Sequence, residues 1–198
     1  MRFWPAAVAA LLILVAPLSA LQDAARADAE RMSKKVQAIL ARAEAKAGPA
    51  KPVTTTFTES ELNAYLRLDP TVGLPVGLKH PTVTLLDAGR VDSKALVDLD
   101  MVRVSEKRGW LDPLAYVSGL VEARTIGVFR GSNGKGVYVY ESASLGGLPI
   151  PKSMLAELVT FYTRSPETPR GIPLDAPFDL PHRIRDVELR RGLATVIQ

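Results

Sequence analysis

The stretch Phe57–Leu66, FTESELNAYL, sets Glu59 and Glu61 two positions apart and Asn63 two positions beyond them. Two carboxylates held together are what general acid–base hydrolysis requires, one protonated and one charged. The local pattern works against that use. Thr58 stands where a helix N-cap belongs, and Glu61 follows three residues later. This is a capping box, in which the threonine oxygen accepts the Glu61 amide and the glutamate reaches back to the Thr58 amide. Phe57 and Leu62 occupy the positions of a hydrophobic staple, and Glu59 falls in the first turn, where negative charge suits the helix dipole. On such a helix, positions two apart point about 200° from each other. Asn63 has no comparable role on its own helix unless its amide ties down a neighbouring loop.

The other chemical candidates are weaker. Asp98 and Asp100 share the polar side of an alternating stretch about 7 Å apart, but no histidine or glycine-flanked acidic motif accompanies them. Gly131–Gly136, GSNGKG, has the glycines of a phosphate loop, but Gly134-Lys135 leads to Gly136 rather than to Ser or Thr and a helix. It reads as a hairpin turn. Ser132 and Lys135 have S-x-x-K spacing in that turn, not at the helix start the chemistry needs. The histidines are His80 and His182, each beside a proline, and there is no cysteine. Thiolate chemistry is excluded, and a histidine-rich metal site is not expected. No catalytic residue, metal ligand or cofactor is assigned.

The chain has 198 residues, 47% hydrophobic and 23% charged, which suits one packed domain with an appendage. The net charge of +4 is mild. No zinc-finger spacing, aromatic RNA-binding signature or dense basic helix is present, so nucleic acid is not an expected partner. Most of the 15 prolines lie beyond residue 48, favouring punctuated strands there over a helical bundle.

The start of the chain reads as an address. Arg2 precedes an apolar run from Ala6 to Val15, then Pro17 and small residues, the order of a signal peptide. Leu18-Ser19-Ala20 and Ala25-Arg26-Ala27 both offer cleavage sites. An uncleaved anchor stays open, because Phe3 to Leu21 nearly reaches the roughly 20 residues that span a bilayer. Either reading places the remainder outside the cytoplasmic membrane, in the periplasm or cell envelope. The expected organisation is a signal or anchor over 1–21, a helical arm and linker over 22–52, and one α+β domain over 53–198. In the arm, Met32, Val36, Ile39 and Ala43 form a single stripe, with Gly48-Pro49 as its stop. Docking on the domain, a membrane-proximal stalk and a lipid-surface helix are all compatible with it.

From Val83 the period becomes two. VDSKALVDLDMVRV puts Val91, Ala95, Val97, Leu99 and Met101 on one face of a strand. Asp112-Pro113 opens a short helix to about Val117, with Trp110 as its anchor. Leu120 to Arg130 and Val137 to Leu145 read as strands around the glycine-rich turn. Lys152 to Thr163 reads as a helix, and two C-terminal strands meet at Arg191-Gly192.

The FTESELNAYL helix start, the DAGRV turn, GLPIPKSMLAELV and the closing V-x-L-R-R-G-L-A-T-V hairpin resemble the extracytoplasmic YpmS- and LmeA-type bacterial proteins, which are similar to tubular lipid-binding domains. The resemblance spans about residues 53 to 198. It implies a curved antiparallel sheet around one or two helices with an apolar groove for acyl chains, and it implies no catalytic residues. The functional expectation is therefore an exported, non-enzymatic domain binding a lipid or other apolar ligand, with Val97, Leu99, Met101, Val137 and Val139 lining the groove. A scaffold or protein-interaction domain of the envelope without a small ligand is the alternative, and envelope proteins and a membrane surface are compatible partners. A hydrolase using Asp98/Asp100 or Ser132/Lys135 ranks last.

Overall fold

The computed structural model describes residues 18–46, 51–101, 119–162 and 169–198. Helix α1 covers Leu18–Glu44. Its stripe is docked: Met32 and Ile39 are buried in one cluster with Phe57, Leu85, Val91, Ala194 and Val196, and Val36 packs against it. Each such side chain removed from water contributes about 1.5–3 kcal/mol, which is why a helix with one apolar stripe packs rather than standing free. At its far end, Arg42 donates to the Gln198 Oε1 at 2.6 Å, and the buried Gln198 donates back to the Ile39 carbonyl at 3.0 Å.

Strand β1, Thr54–Thr58, runs directly into α2, Glu59–Leu68. β2 is Leu78–Leu85, and a tight turn at Asp87–Gly89 leads to β3, Arg90–Asp98. β4, Leu120–Ser132, and β5, Lys135–Leu145, form the long central hairpin. Its turn is Asn133-Gly134, both with positive φ (52° and 75°), the two-residue connection whose twist matches that of the strands. β6 (Leu148–Pro149), α3 (Lys152–Tyr162) and β7 (Phe178–Asp179) follow, and β8 (Asp186–Arg190) and β9 (Leu193–Ile197) close the chain.

The result is α+β, an open, curved antiparallel sheet with order β1-β9-β8-β4-β3-β2 and β5 on the far side of β4. β3 begins at Arg90 opposite Val128, so the last residues of β4 have a free side, and β8 takes it with Val187 opposite Gly131. α1 and α2 run antiparallel. Arg31 and Lys35 meet Glu61 at the start of α2, while Leu21 to Arg26 lie beside Arg67 and Leu68 at its end. Among the described residues, the helices pack chiefly on each other and on β1, β2 and β5.

Two expectations need correction or placement. β3 ends at Asp98, not beyond Met101, and residues 99–101 are helical. Asp98 starts that turn, its carboxylate accepting the Met101 amide at 3.4 Å, as an N-cap does. The leader before residue 18, Gly48-Pro49, Val102 to Val104, Trp110 and the Asp112–Val117 helix lie outside the described residues.

The register assigns each strand residue to a face. Val97 pairs with Val121, Ala95 with Ala123, and Ala123 with Leu145, so these share one side. Ile126 pairs with Ser142, yet Gly127 pairs with Tyr140. Glu141 is thus the extra residue of a β-bulge, and beyond it β5 alternates in the opposite phase. Tyr138 and Tyr140 thereby join the apolar side. Gly127 leaves room for the Tyr138 ring, since a Cβ there would stand 2.5 Å from its Cζ and 2.6 Å from the Val139 carbonyl. Gly127→Ala is expected to lower stability by about 1–3 kcal/mol through overpacking, read as a drop in urea midpoint at unchanged m-value.

Candidate functional site

The Glu59–Asn63 stretch is structural throughout. The capping box forms as the spacing predicts: Thr58 Oγ1 accepts the Glu61 amide at 3.1 Å, and Glu61 Oε2 accepts the Thr58 amide at 2.9 Å. The Glu61 carboxylate also holds Lys35 Nζ at 2.6 and 2.8 Å and Arg31 Nε at 3.3 Å. It is only 4% exposed. Burial pushes its carboxyl up, but the Lys35 ammonium, the Thr58 amide and the Arg31 guanidinium more than offset this and hold it below its ordinary value.

Glu59 and Asn63 face away from Glu61, toward β2. Asn63 donates to the Val83 carbonyl at 2.8 Å and accepts the Val83 amide at 2.7 Å. Glu59 accepts the Leu85 amide at 2.7 Å, and the Leu85 carbonyl receives the Gly192 amide at 3.0 Å. β2 is an edge strand, and residues 83 and 85 turn their backbone groups outward. All four of those groups are therefore satisfied. A helix advances about 6 Å over four residues and a strand about 6.8 Å over two, so one face of α2 matches the edge repeat. The carboxylate and amide close an edge that would otherwise template pairing with another chain.

The remaining candidates do not assemble a reaction centre. Asp98 pairs with Lys79 at 3.0 Å, a hydrogen bond that holds its carboxyl below its ordinary value, and Asp100 accepts the Gly119 amide at 3.0 Å. Ser132 and Lys135 face each other at the hairpin tip, with Lys135 bound to Asp179 at 2.6 Å. His80 and His182 both have positive φ, in a strand irregularity and a turn. Among the described residues, no three His, Asp or Glu side chains gather closely enough to hold a metal ion.

The five residues expected to line a groove are not brought together. Val97 lies on the apolar side, half-buried. Val137 and Val139 pair with Arg130 and Val128 on the opposite side, because the Glu141 bulge reverses their phase. Leu99 is buried in the helical turn, and Met101 is exposed at its end. The apolar side instead carries Ala95, Val97, Val121, Ala123 and Leu145, half-buried, in the middle of the sheet. α2 flanks this face over β2, and α3 follows Ile150, whose carbonyl accepts the Tyr140 hydroxyl at 3.4 Å, beside β5. Over Gly127, the Tyr138 hydroxyl is buried near Thr125, with no well-formed hydrogen bond to a partner among the described residues. Burial raises this phenol above its ordinary value.

A separate cleft of about 730 Å³ lies where α1 starts and α2 ends, lined by Leu21, Ala25, Arg26, Arg67, Leu68 and His80. The loop Asp69–Gly77 next to it exposes Leu74 and Val76. This is also the end of the sheet where β2 starts, β3 stops, β4 begins and β5 stops, with Leu78 opposite Val97, Asp98 opposite Leu120, and Leu145 opposite Leu148.

No family model, curated protein or solved structure matches this chain.

Chemically, the described residues offer a broad face of small side chains, apolar at Ala95, Val97, Val121 and Ala123 and polar at Ser93, Thr125 and the hydroxyls of Tyr138 and Tyr140, and no nucleophile–base or acid–base pair. Sequence reasoning missed Tyr138, Ala123 and the cleft. Tyr138 depends on the bulge, Ala123 on its pairing with Ala95 and Leu145, and the cleft joins segments more than 40 positions apart in the chain.

Proposed function

We propose that this chain is an exported, non-enzymatic domain of the bacterial cell envelope that holds an apolar ligand of the lipid class against the middle of its sheet. The observation that carries the reading is the face of β3 and β4, where Ala95, Ala123, Val97 and Val121 stand half-buried between margins flanked by α2 and α3. Small side chains on a sheet face leave depth for a chain of methylenes, each worth about 0.8 kcal/mol when removed from water. The Tyr138 hydroxyl, buried without a well-formed hydrogen bond among the described residues, would donate to an ester or carboxyl oxygen. The order of charge, apolar run and small residues before α1 supports export. The resemblance to tubular lipid-binding domains points the same way.

The test is uptake of a fluorescent fatty acid by the full-length protein, with native mass spectrometry for co-purified lipid. Ala123→Trp should fill the face and lower affinity at least about tenfold, the cost of losing two or so buried methylenes, with Tm close to wild type. Val139→Ser, on the other side of the sheet, should leave uptake unchanged. No uptake by the wild type, or equal losses in the two variants, would remove the proposal.

A further inference from the structure

We infer that the end of the domain formed by the start of α1, the end of α2 and the Asp69–Gly77 loop is a seat for an anionic phospholipid bilayer, with the Arg26–Arg67 cleft receiving lipid headgroup phosphate. Apolar exposure is concentrated there. Leu21 is 68% exposed and Leu68 49%, both on the cleft wall, and the adjoining loop adds Val76 at 56%. At the sheet's matching end, Met101, Leu120 and Leu148 are exposed as well, whereas among the described residues only Val139 and Leu193 are comparable elsewhere. Apolar side chains gathered in this way, with polar groups around them, mark an interaction surface.

Two observations choose a bilayer as the occupant. The first is charge. Arg26, Arg67 and His80 line the cleft. Of the neighbouring acidic groups, Asp98 pairs with Lys79 at 3.0 Å, Asp69 accepts the Thr71 amide at 2.9 Å and Asp100 accepts the Gly119 amide at 3.0 Å, whereas Asp23, three positions before Arg26 on α1, is exposed. Guanidinium groups beside exposed leucines are the pairing that an interface of phosphates over acyl chains selects. The second is the path of the chain. The apolar run Ala6–Val15 precedes α1 in the sequence, and α1 begins at this end. A bilayer that holds or has just released that run meets these side chains first. No helix among the described residues is itself long and apolar enough to cross a membrane, so the seat is a surface contact.

The inference is independent of acyl binding on the sheet face, and the experiment keeps the two apart. The chain has no cysteine, so Val76→Cys, Leu148→Cys and Ser132→Cys each place a single environment-sensitive fluorophore on the full-length protein. Ser132 lies in the hairpin at the opposite end of β4. Phosphatidylglycerol vesicles should blue-shift the emission at 76 and 148 and leave 132 unchanged. Arg26→Gln with Arg67→Gln should raise the vesicle concentration for half the shift roughly 30-fold, the effect of two basic residues near an anionic surface. Ala123→Trp should leave the shift intact, even if it abolishes fatty-acid uptake. A shift at all three positions, a shift at none, an equal response to phosphatidylcholine vesicles, or a shift that grows with protein concentration before lipid is added would each overturn the seat. The last would identify a second copy of the chain as the occupant.

Discussion

Glu61→Ala lowers stability by about 3 kcal/mol, the lower end of the range for breaking a buried ion pair from one side, and Tm falls by about 6–12 °C for a chain of this size. Three losses coincide. The Thr58 amide loses its acceptor, Lys35 loses a carboxylate that it meets at 2.6 Å, and Arg31 loses a 3.3 Å contact. The carboxylate is buried, but Lys35 and Arg31 are 32% and 56% exposed, so water recovers part of their charge. Glu61→Gln separates the contributions. Glutamine serves at this position of a capping box, so the variant keeps the cap and loses only the charge, and its cost falls between wild type and alanine. The pH dependence has a fixed sign. The folded carboxyl lies below its ordinary value of 4.5, so its stabilisation is present in full above that value and is lost as pH falls through the lower folded value. The wild-type advantage over Glu61→Gln in urea denaturation is therefore flat at neutral pH and shrinks below 4.5. An advantage that is constant into strong acid would show that the charge contributes nothing.

What could be read in advance was what neighbours in the sequence decide. The capping box needs four consecutive residues, the α1 stripe needs a period, and the central turn needs only Asn133-Gly134. Each appears in the structure as its local chemistry dictates. The partners of those elements were not legible, because they are set by register. Asn63 meets Val83, 20 positions on, and Lys35 meets Glu61 across 26. Arg124 clasps Asp92 from a neighbouring strand at 2.6 and 2.9 Å. The groove residues show the same limit more sharply. With unbroken alternation, Val137 and Val139 would share a side with Val97. One extra residue at Glu141 reverses everything between it and the hairpin, and exchanges two valines for two tyrosines on the apolar side. Nothing in YVYESASL marks which position bulges.

Asn63→Ala costs about 2–4 kcal/mol, although alanine is the better helix former by roughly half a kcal/mol. The sign is therefore opposite to the one helix propensity gives. Both backbone groups of Val83 lose their partners, and each orphaned group costs about 1–3 kcal/mol when sheltered from water. Asn63→Asp resolves the mechanism. The aspartate still accepts the Val83 amide but turns a second oxygen toward the Val83 carbonyl, so it should be at least as damaging as alanine despite its near-identical shape. Glu59→Gln, by contrast, keeps an acceptor for the Leu85 amide and should cost little. Paired with Asn63→Ala in a double-mutant cycle, Glu59→Ala should show coupling, because the two side chains close adjacent repeats of one edge. The second consequence is association. With β2 uncovered, Thr82 to Leu85 present free amides and carbonyls beside apolar side chains, the arrangement that recruits another strand. Size-exclusion chromatography of Asn63→Ala should show concentration-dependent oligomers that the wild type lacks. A monomeric Asn63→Ala within about 0.5 kcal/mol of wild type, the range of an ordinary surface substitution, would mean that the edge is closed by something other than α2.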